Sequence, residues 1–127
     1  MARIVVADDD ADIRDLVVFK LTQSGHDVVP VADGAAAVEA CRAHVPDLAV
    51  LDVMMPVMTG LDACRALRAE PTLRDIPVIL LTARTQDADV EVGREAGADE
   101  YVAKPFSPRE LAARVDRVLE QGRRGEA

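Results

Sequence analysis

An α/β fold built on a five-stranded parallel sheet is what the sequence predicts, from three observations. Apolar runs of strand length alternate with helix-length segments five times along the chain, a pattern that gives a parallel sheet with helices on both faces. Three of the runs, residues 4–7, 48–51 and 78–81, contain no polar residue, as strands buried on both sides require. Right-handed crossovers then leave few ways of connecting them.

The first strand is Ile4-Val5-Val6-Ala7, followed at once by Asp8, Asp9 and Asp10. Asp9 or Asp10 supplies the N-cap of the first helix, whose apolar stripe is Ile13, Leu16, Val17 and Leu21. Gly25 ends it as the residue after the C-cap. Asp27-Val28-Val29-Pro30-Val31 is short and carries a proline, which puts it at a sheet edge. Asp33-Gly34 turns into the second helix, which runs through Val38 and Cys41 until Pro46 stops it. Leu48-Ala49-Val50-Leu51 is the third strand and ends at Asp52, before an unusually apolar loop from Met54 to Gly60. The third helix spans about 61–69, and Pro77-Val78-Ile79-Leu80-Leu81 is the fourth strand, closed by Thr82-Ala83.

The fourth helix, about 86–96, is the weakest. Its apolar stripe is thin and Gly93 lies inside it, at a cost of about 1 kcal/mol against alanine; it is expected to be mobile. Gly97 closes it, and Tyr101-Val102-Ala103 forms a fifth strand ending at Lys104-Pro105. Ser107 as N-cap, Pro108 at the first helical position and Glu110 as the other half of a capping box open the last helix. Leu111, Val115, Val118 and Leu119 line its buried face. The three wholly apolar strands belong in the centre and the second and fifth at the edges. The strand order is therefore 2-1-3-4-5, the flavodoxin-like arrangement. Residues 1–121 form one domain, and 122–127 are a disordered tail or the start of a linker.

At 127 residues the chain has the size of a single domain, and half of it is hydrophobic. A net charge of −8 argues against nucleic-acid binding by this domain. No run of about 18 apolar residues could span a membrane, and Met1-Ala2-Arg3 leads straight into a strand without signal-peptide design. Cys41 and Cys64 lack CxxC spacing and read as reduced packing residues, which points to the cytoplasm. One Tyr, two Phe and no Trp leave little with which to stack a flavin or bases.

Function lies at the carboxyl ends of the strands, where open α/β sheets bind ligands. Asp8 and Asp9 follow the first strand, Asp52 the third, Thr82 the fourth and Lys104 the fifth. Three carboxylates converging at about 5 Å, with an effective dielectric near 20, repel by roughly 3 kcal/mol per pair. A folded domain has only about 5–15 kcal/mol of stability. The cluster therefore calls for a cation, and Mg²⁺ suits it, since that ion takes a few carboxylates, several waters and a phosphate oxygen. A phosphoryl group would bridge the Mg²⁺, Lys104 and the Thr82 hydroxyl, and Asp carboxylates do act as nucleophiles toward phosphorus. The chain has two lysines against thirteen arginines, yet keeps a lysine beside the acids, where a flexible point charge suits a phosphoryl oxygen.

These residues resemble the receiver domain of bacterial two-component response regulators, of the chemotaxis-regulator type. The motifs are the acidic pair after the first strand, Asp52 followed by Met54-Met55-Pro56 and Gly60, Thr82-Ala83, and Lys104-Pro105-Phe106. The resemblance runs from Ile4 to about Gln121. It implies that Asp52 is the phosphoacceptor, that Asp9 ligates Mg²⁺ directly and Asp8 through water, and that Met54 offers the metal its backbone carbonyl. Thr82, the Ala83 backbone and Lys104 would bind the phosphoryl oxygens. Thr82 and Tyr101 would form the switch, Met54 and Arg84 would tune the lifetime of the phosphoryl group, and Lys104-Pro105 would be cis. The domain would be a phosphorylation-operated switch rather than a conventional enzyme, catalysing its own phosphorylation and slow autodephosphorylation. Its partners would be a sensor histidine kinase or phosphotransfer protein and an output partner on the face of the fourth helix, fifth strand and last helix, with room for a homodimer on activation.

Three other readings of these residues compete with it. A phosphatase of the haloacid dehalogenase type would use Asp8 and Asp10, but its cap insertions are missing. A flavodoxin-like electron carrier needs a hydroxyl- and glycine-rich phosphate loop where this chain is acidic. A receiver-like domain that is never phosphorylated would not need the intact Asp, Thr and Lys set.

Overall fold

The computed structural model describes residues 2–83 and 87–121, the side chains of 87–90 excepted. Arg84 and residues 122–127, on which expectations were placed above, lie outside the described residues. The elements are β1 (Arg3–Ala7), α1 (Ala11–Gln23), β2 (Asp27–Val31), α2 (Gly34–His44), β3 (Leu48–Asp52), α3 (Gly60–Ala69), β4 (Val78–Thr82), α4 (Asp87–Glu95), β5 (Glu100–Ala103) and α5 (Pro108–Gln121). All neighbouring strands are parallel, in the order β2-β1-β3-β4-β5.

The sheet divides the core in two. Residues of one parity on the central strands, such as Val5, Leu51 and Leu80, meet α2 and α3 residues Val38, Cys41, Cys64 and Leu67. Those of the other parity, such as Ile4, Val50 and Leu81, meet Val17 and Leu21 of α1 and Leu111, Val115 and Val118 of α5. Every residue of β3 and β4 is buried. That explains the unbroken apolar runs: an alternating strand would have put a polar side chain against one helix layer. Neither cysteine is in a disulfide and both are buried; burial pushes the Cys41 thiol up to about 12.

Caps fix the helix ends. Asp10, not Asp9, caps α1, accepting from the backbone N–H groups of Asp12 and Ile13. That leaves Asp9 outside the helix. Gly25 has φ 94°, the left-handed geometry expected just past a C-cap. Ser107 Oγ accepts from the Glu110 N–H at 3.0 Å, whereas the Glu110 carboxylate turns toward Arg114, 3.8 Å away. Leu16, expected in the buried stripe of α1, is 48% exposed, and Phe19 beside it is 65% exposed. The helix buries only Val17 and Leu21 fully, because the packed face of α1 is narrower than the spacing of its apolar residues suggests.

Among the described residues two valines occupy the left-handed region, Val45 at φ 42° and Val57 at φ 69°. For an L-residue this costs about 1–2 kcal/mol, and β-branching makes it a true outlier. Val57 lies in the loop after β3 and is 83% exposed, so no packing offsets the strain. Val57→Gly should raise the melting temperature by about 3 °C, the strain released exceeding the extra chain entropy of glycine. A thermal melt showing a decrease would mean that the loop relaxes around valine.

Candidate functional site

Parallel register brings the polar residues together at one end of the sheet. Ala7 is level with Leu51, so Asp8 comes level with Asp52. Asp52 is paired with Leu81 and Thr82 with Ala103, which places Thr82 one step beyond Asp52 and Lys104 one step beyond Thr82. Strands β1, β3, β4 and β5 thus each bring the polar residue at their carboxyl end to the same crevice. Gly60 closes it from below: its N–H donates to the Val53 carbonyl at 3.0 Å. A Cβ at this position would lie 2.2 Å from the Asp52 carbonyl oxygen. Only glycine lets the start of α3 approach the Asp52 backbone this closely.

Asp8, Asp52 and Thr82 are the buried polar residues of the described chain, at 0%, 4% and 1% exposure, while Asp9 is exposed. One oxygen from each of Asp8, Asp9 and Asp52 lies within 4.8 Å of the others. The Lys104 ammonium reaches both buried carboxylates, 3.3 Å from Asp8 Oδ2 and 3.2 Å from Asp52 Oδ2. The backbone holds the remaining oxygens. Asp10 N–H donates to Asp8 Oδ1 at 3.0 Å, and Met54 N–H to Asp52 Oδ1 at 3.4 Å. Arg14, a residue the sequence did not single out, donates from Nη1 to the Asp8 carbonyl at 2.8 Å.

One ammonium does not balance three acids. Burial pushes the Asp52 carboxyl up to about 6; the charge on Asp8 pushes the same way, and Lys104 opposes both. Burial would lower the Lys104 ammonium, but the Asp52 and Asp8 carboxylates outweigh it and hold its pKa above the ordinary value. The donor set is all oxygen, compact and carries excess negative charge, which fits a hard divalent cation.

The model of the response regulator receiver domain matches residues 4–116. The chain belongs to that family. It therefore takes part in phosphorylation-based signalling of the two-component kind. Relatives include the DNA-binding response regulator MtrA of Mycobacterium tuberculosis (strain ATCC 25618 / H37Rv), 46% identical over 113 residues that make up 89% of this chain and 48% of that protein. The alkaline phosphatase synthesis transcriptional regulatory protein PhoP of Bacillus subtilis (strain 168) is 42% identical over 92% of this chain and 48% of its own length. The chain thus spans about half the length of the curated relatives it matches. Among solved structures, the chemotaxis protein CheY4 of Vibrio cholerae has a TM-score of 0.89 at 33% identity, covering 93% of this chain and 98% of that one. The receiver domain of sensor histidine kinase PA1611 from Pseudomonas aeruginosa PAO1 has a TM-score of 0.86 at 32% identity, covering 94% and 98%. It carries a magnesium ion coordinated in its active site cleft.

Elsewhere in this receiver domain Tyr101 is half-buried on β5, level with Leu80, and the Lys104-Pro105 bond is cis. Ala83 is exposed just past β4, and Met54 is 66% exposed at the rim of the crevice. On the flank formed by α4, β5 and α5 lies a cleft of about 370 Å³ whose walls include Arg94, Glu100, Tyr101, Glu110 and Arg114. No helix among the described residues is long and apolar enough to cross a membrane.

A clamp that the sequence did not reveal ties α3 to the turn before β5. The Arg68 guanidinium donates to the Gly97 carbonyl through Nε at 3.0 Å and Nη2 at 2.7 Å, to the Ile76 carbonyl at 2.6 Å and to Asp99 Oδ2 at 3.0 Å. Asp99 Oδ2 also accepts from the Val78 N–H at 2.9 Å.

Proposed function

We propose that this domain accepts a phosphoryl group on Asp52 from the phosphohistidine of a sensor histidine kinase, a phosphotransfer protein or a small phosphodonor. The observation that carries this reading is the pair of buried carboxylates, Asp8 and Asp52, bridged by one lysine ammonium. In the transfer an Asp52 oxygen attacks phosphorus, a P–O bond forms, and the bond to the donor nitrogen or oxygen breaks with its electron pair. Asp9, Asp52 and the Met54 carbonyl would hold Mg²⁺ directly. Asp8, whose two oxygens already meet the Asp10 N–H and Lys104, would act through water. When bound, the cation neutralises the cluster and the charge on the phosphoryl oxygens.

The chain's own residues do the rest. Lys104 already sits on Asp52 Oδ2 and would pair with a phosphoryl oxygen once Asp52 is phosphorylated. The Ala83 N–H and the Thr82 hydroxyl bind the other oxygens. Thr82 then draws toward the phosphoryl group and lets Tyr101 turn inward, which changes the α4–β5–α5 surface. That surface would control an output partner or a second copy of the domain. Residues 1–121 would be the switch and 122–127 a tail or linker.

With acetyl phosphate and Mg²⁺ the protein should gain one acid-stable, base-labile phosphoryl group, and Asp52→Asn should gain none. Uptake by Asp52→Asn equal to wild type would rule out the nucleophile.

Met54 and Arg84 would set the lifetime of that group. A thioether cannot hold the attacking water well, and a guanidinium has no acceptor to act as base. Met54→Asn with Arg84→Glu should therefore speed the loss of phosphate at saturating Mg²⁺. An unchanged decay rate would remove both residues from rate control.

A further inference from the structure

Gly93 is the residue the sequence could not justify, a glycine inside an already weak helix. Its surroundings account for it. Gly93 is buried, and a Cβ built on it would lie 2.5 Å from Cε2 and 2.9 Å from Cδ2 of Tyr101, with Leu80 Cδ1 3.3 Å away. The aromatic ring therefore rests on bare helix backbone. Leu80 is fully buried in the central sheet and has nowhere to go. The half-buried ring does: it borders the cleft of about 370 Å³ between α4, β5 and α5.

We propose that Gly93 is the positioning residue for Tyr101, a seat whose missing side chain lets the ring lie against α4 and so couples the ring's rotamer to the helix. This rests on the reading of Tyr101 as the switch residue. Size at position 93 then sets the balance between a ring held against the helix and a ring displaced into the cleft. Residue 93 thus tunes how readily the output face responds, without touching the phosphorylation site.

The test uses intrinsic emission, because Tyr101 is the single tyrosine and there is no tryptophan. In an ordinary helix interior Gly→Ala stabilises. Here Gly93→Ala should instead lower the melting temperature, by about 4 °C, and raise the collisional quenching of Tyr101 by acrylamide. In a Tyr101→Ala background the same change should raise the melting temperature. If Gly93→Ala fails to fold but the double variant folds, the clash is with the ring and the proposal stands. If neither folds, or if Gly93→Ala stabilises with quenching unchanged, the proposal is overturned.

A second arm adds acetyl phosphate and Mg²⁺. Wild-type emission should shift on phosphorylation, and Gly93→Ala should shift less at equal phosphoryl content. A wild type that does not respond overturns the switch reading of Tyr101. A wild type that responds alongside an equally responsive Gly93→Ala overturns the seat alone.

Discussion

Asp99→Ala should cost about 3 kcal/mol of folding stability, a fall in melting temperature of roughly 10 °C. The Arg68 and Asp99 side chains are only 13% and 15% exposed, so the pair is largely shielded from water. Removing the carboxylate takes a shielded counter-charge from a guanidinium that keeps the Gly97 and Ile76 carbonyls. It also leaves the Val78 N–H without its acceptor, on a residue that is fully buried. An unsatisfied buried donor alone is worth about 1–3 kcal/mol. Asp99→Asn keeps an oxygen for both donors and should recover about half of the loss. Thermal melts of the three proteins decide it. A drop of less than about 2 °C in Asp99→Ala would show that the guanidinium relies on the carbonyls alone.

In metal-free buffer the Asp52 carboxyl should make the domain less stable as pH rises from about 4 to about 6. Its folded-state pKa is near 6 against an ordinary value of 3.8, so across that window the folded chain holds more protons than the unfolded one. Stability then falls with rising pH, by about 2–3 kcal/mol once the titration is complete. Asp52→Asn removes the titrating group. With a chelator at pH 7 it should melt above wild type, and the two should converge near pH 4. Saturating Mg²⁺ should close most of the gap at pH 7 by stabilising wild type alone. A wild type with flat stability from pH 4 to 7 would mean that Lys104 fully compensates the cluster.

The sheet was legible because burial on two faces forces uninterrupted apolar runs, and residues 4–7 of β1, 48–51 of β3 and 78–81 of β4 obey that rule. The candidate site was legible for the same reason: a polar residue that ends such a run must stand at the strand's carboxyl end. Register then gathers Asp8, Asp52, Thr82 and Lys104 without further information. The Arg68 clamp was not legible, because its acceptors are mostly backbone carbonyls outside its own helix, and a carbonyl leaves no trace in a side-chain sequence. One signal was available: Asp99 stands just before β5, where its carboxylate can accept from the N–H of Val78 at the start of the neighbouring β4. Gly93 was seen only as a cost, since a partner 8 positions away on β5 lies outside any helical periodicity. Leu16 was placed in the stripe of α1 by spacing, yet spacing does not say how wide the packed face is.

The central claim is that Asp52, and no other residue, takes the phosphoryl group. The direct measurement is peptide mass spectrometry after acetyl phosphate and Mg²⁺, followed by borohydride, which reduces an aspartyl phosphate to homoserine. Homoserine at position 52, absent when Mg²⁺ is withheld, is the predicted result. Homoserine at Asp8 or Asp9, or phosphate on a serine or threonine with Asp52 intact, would contradict it.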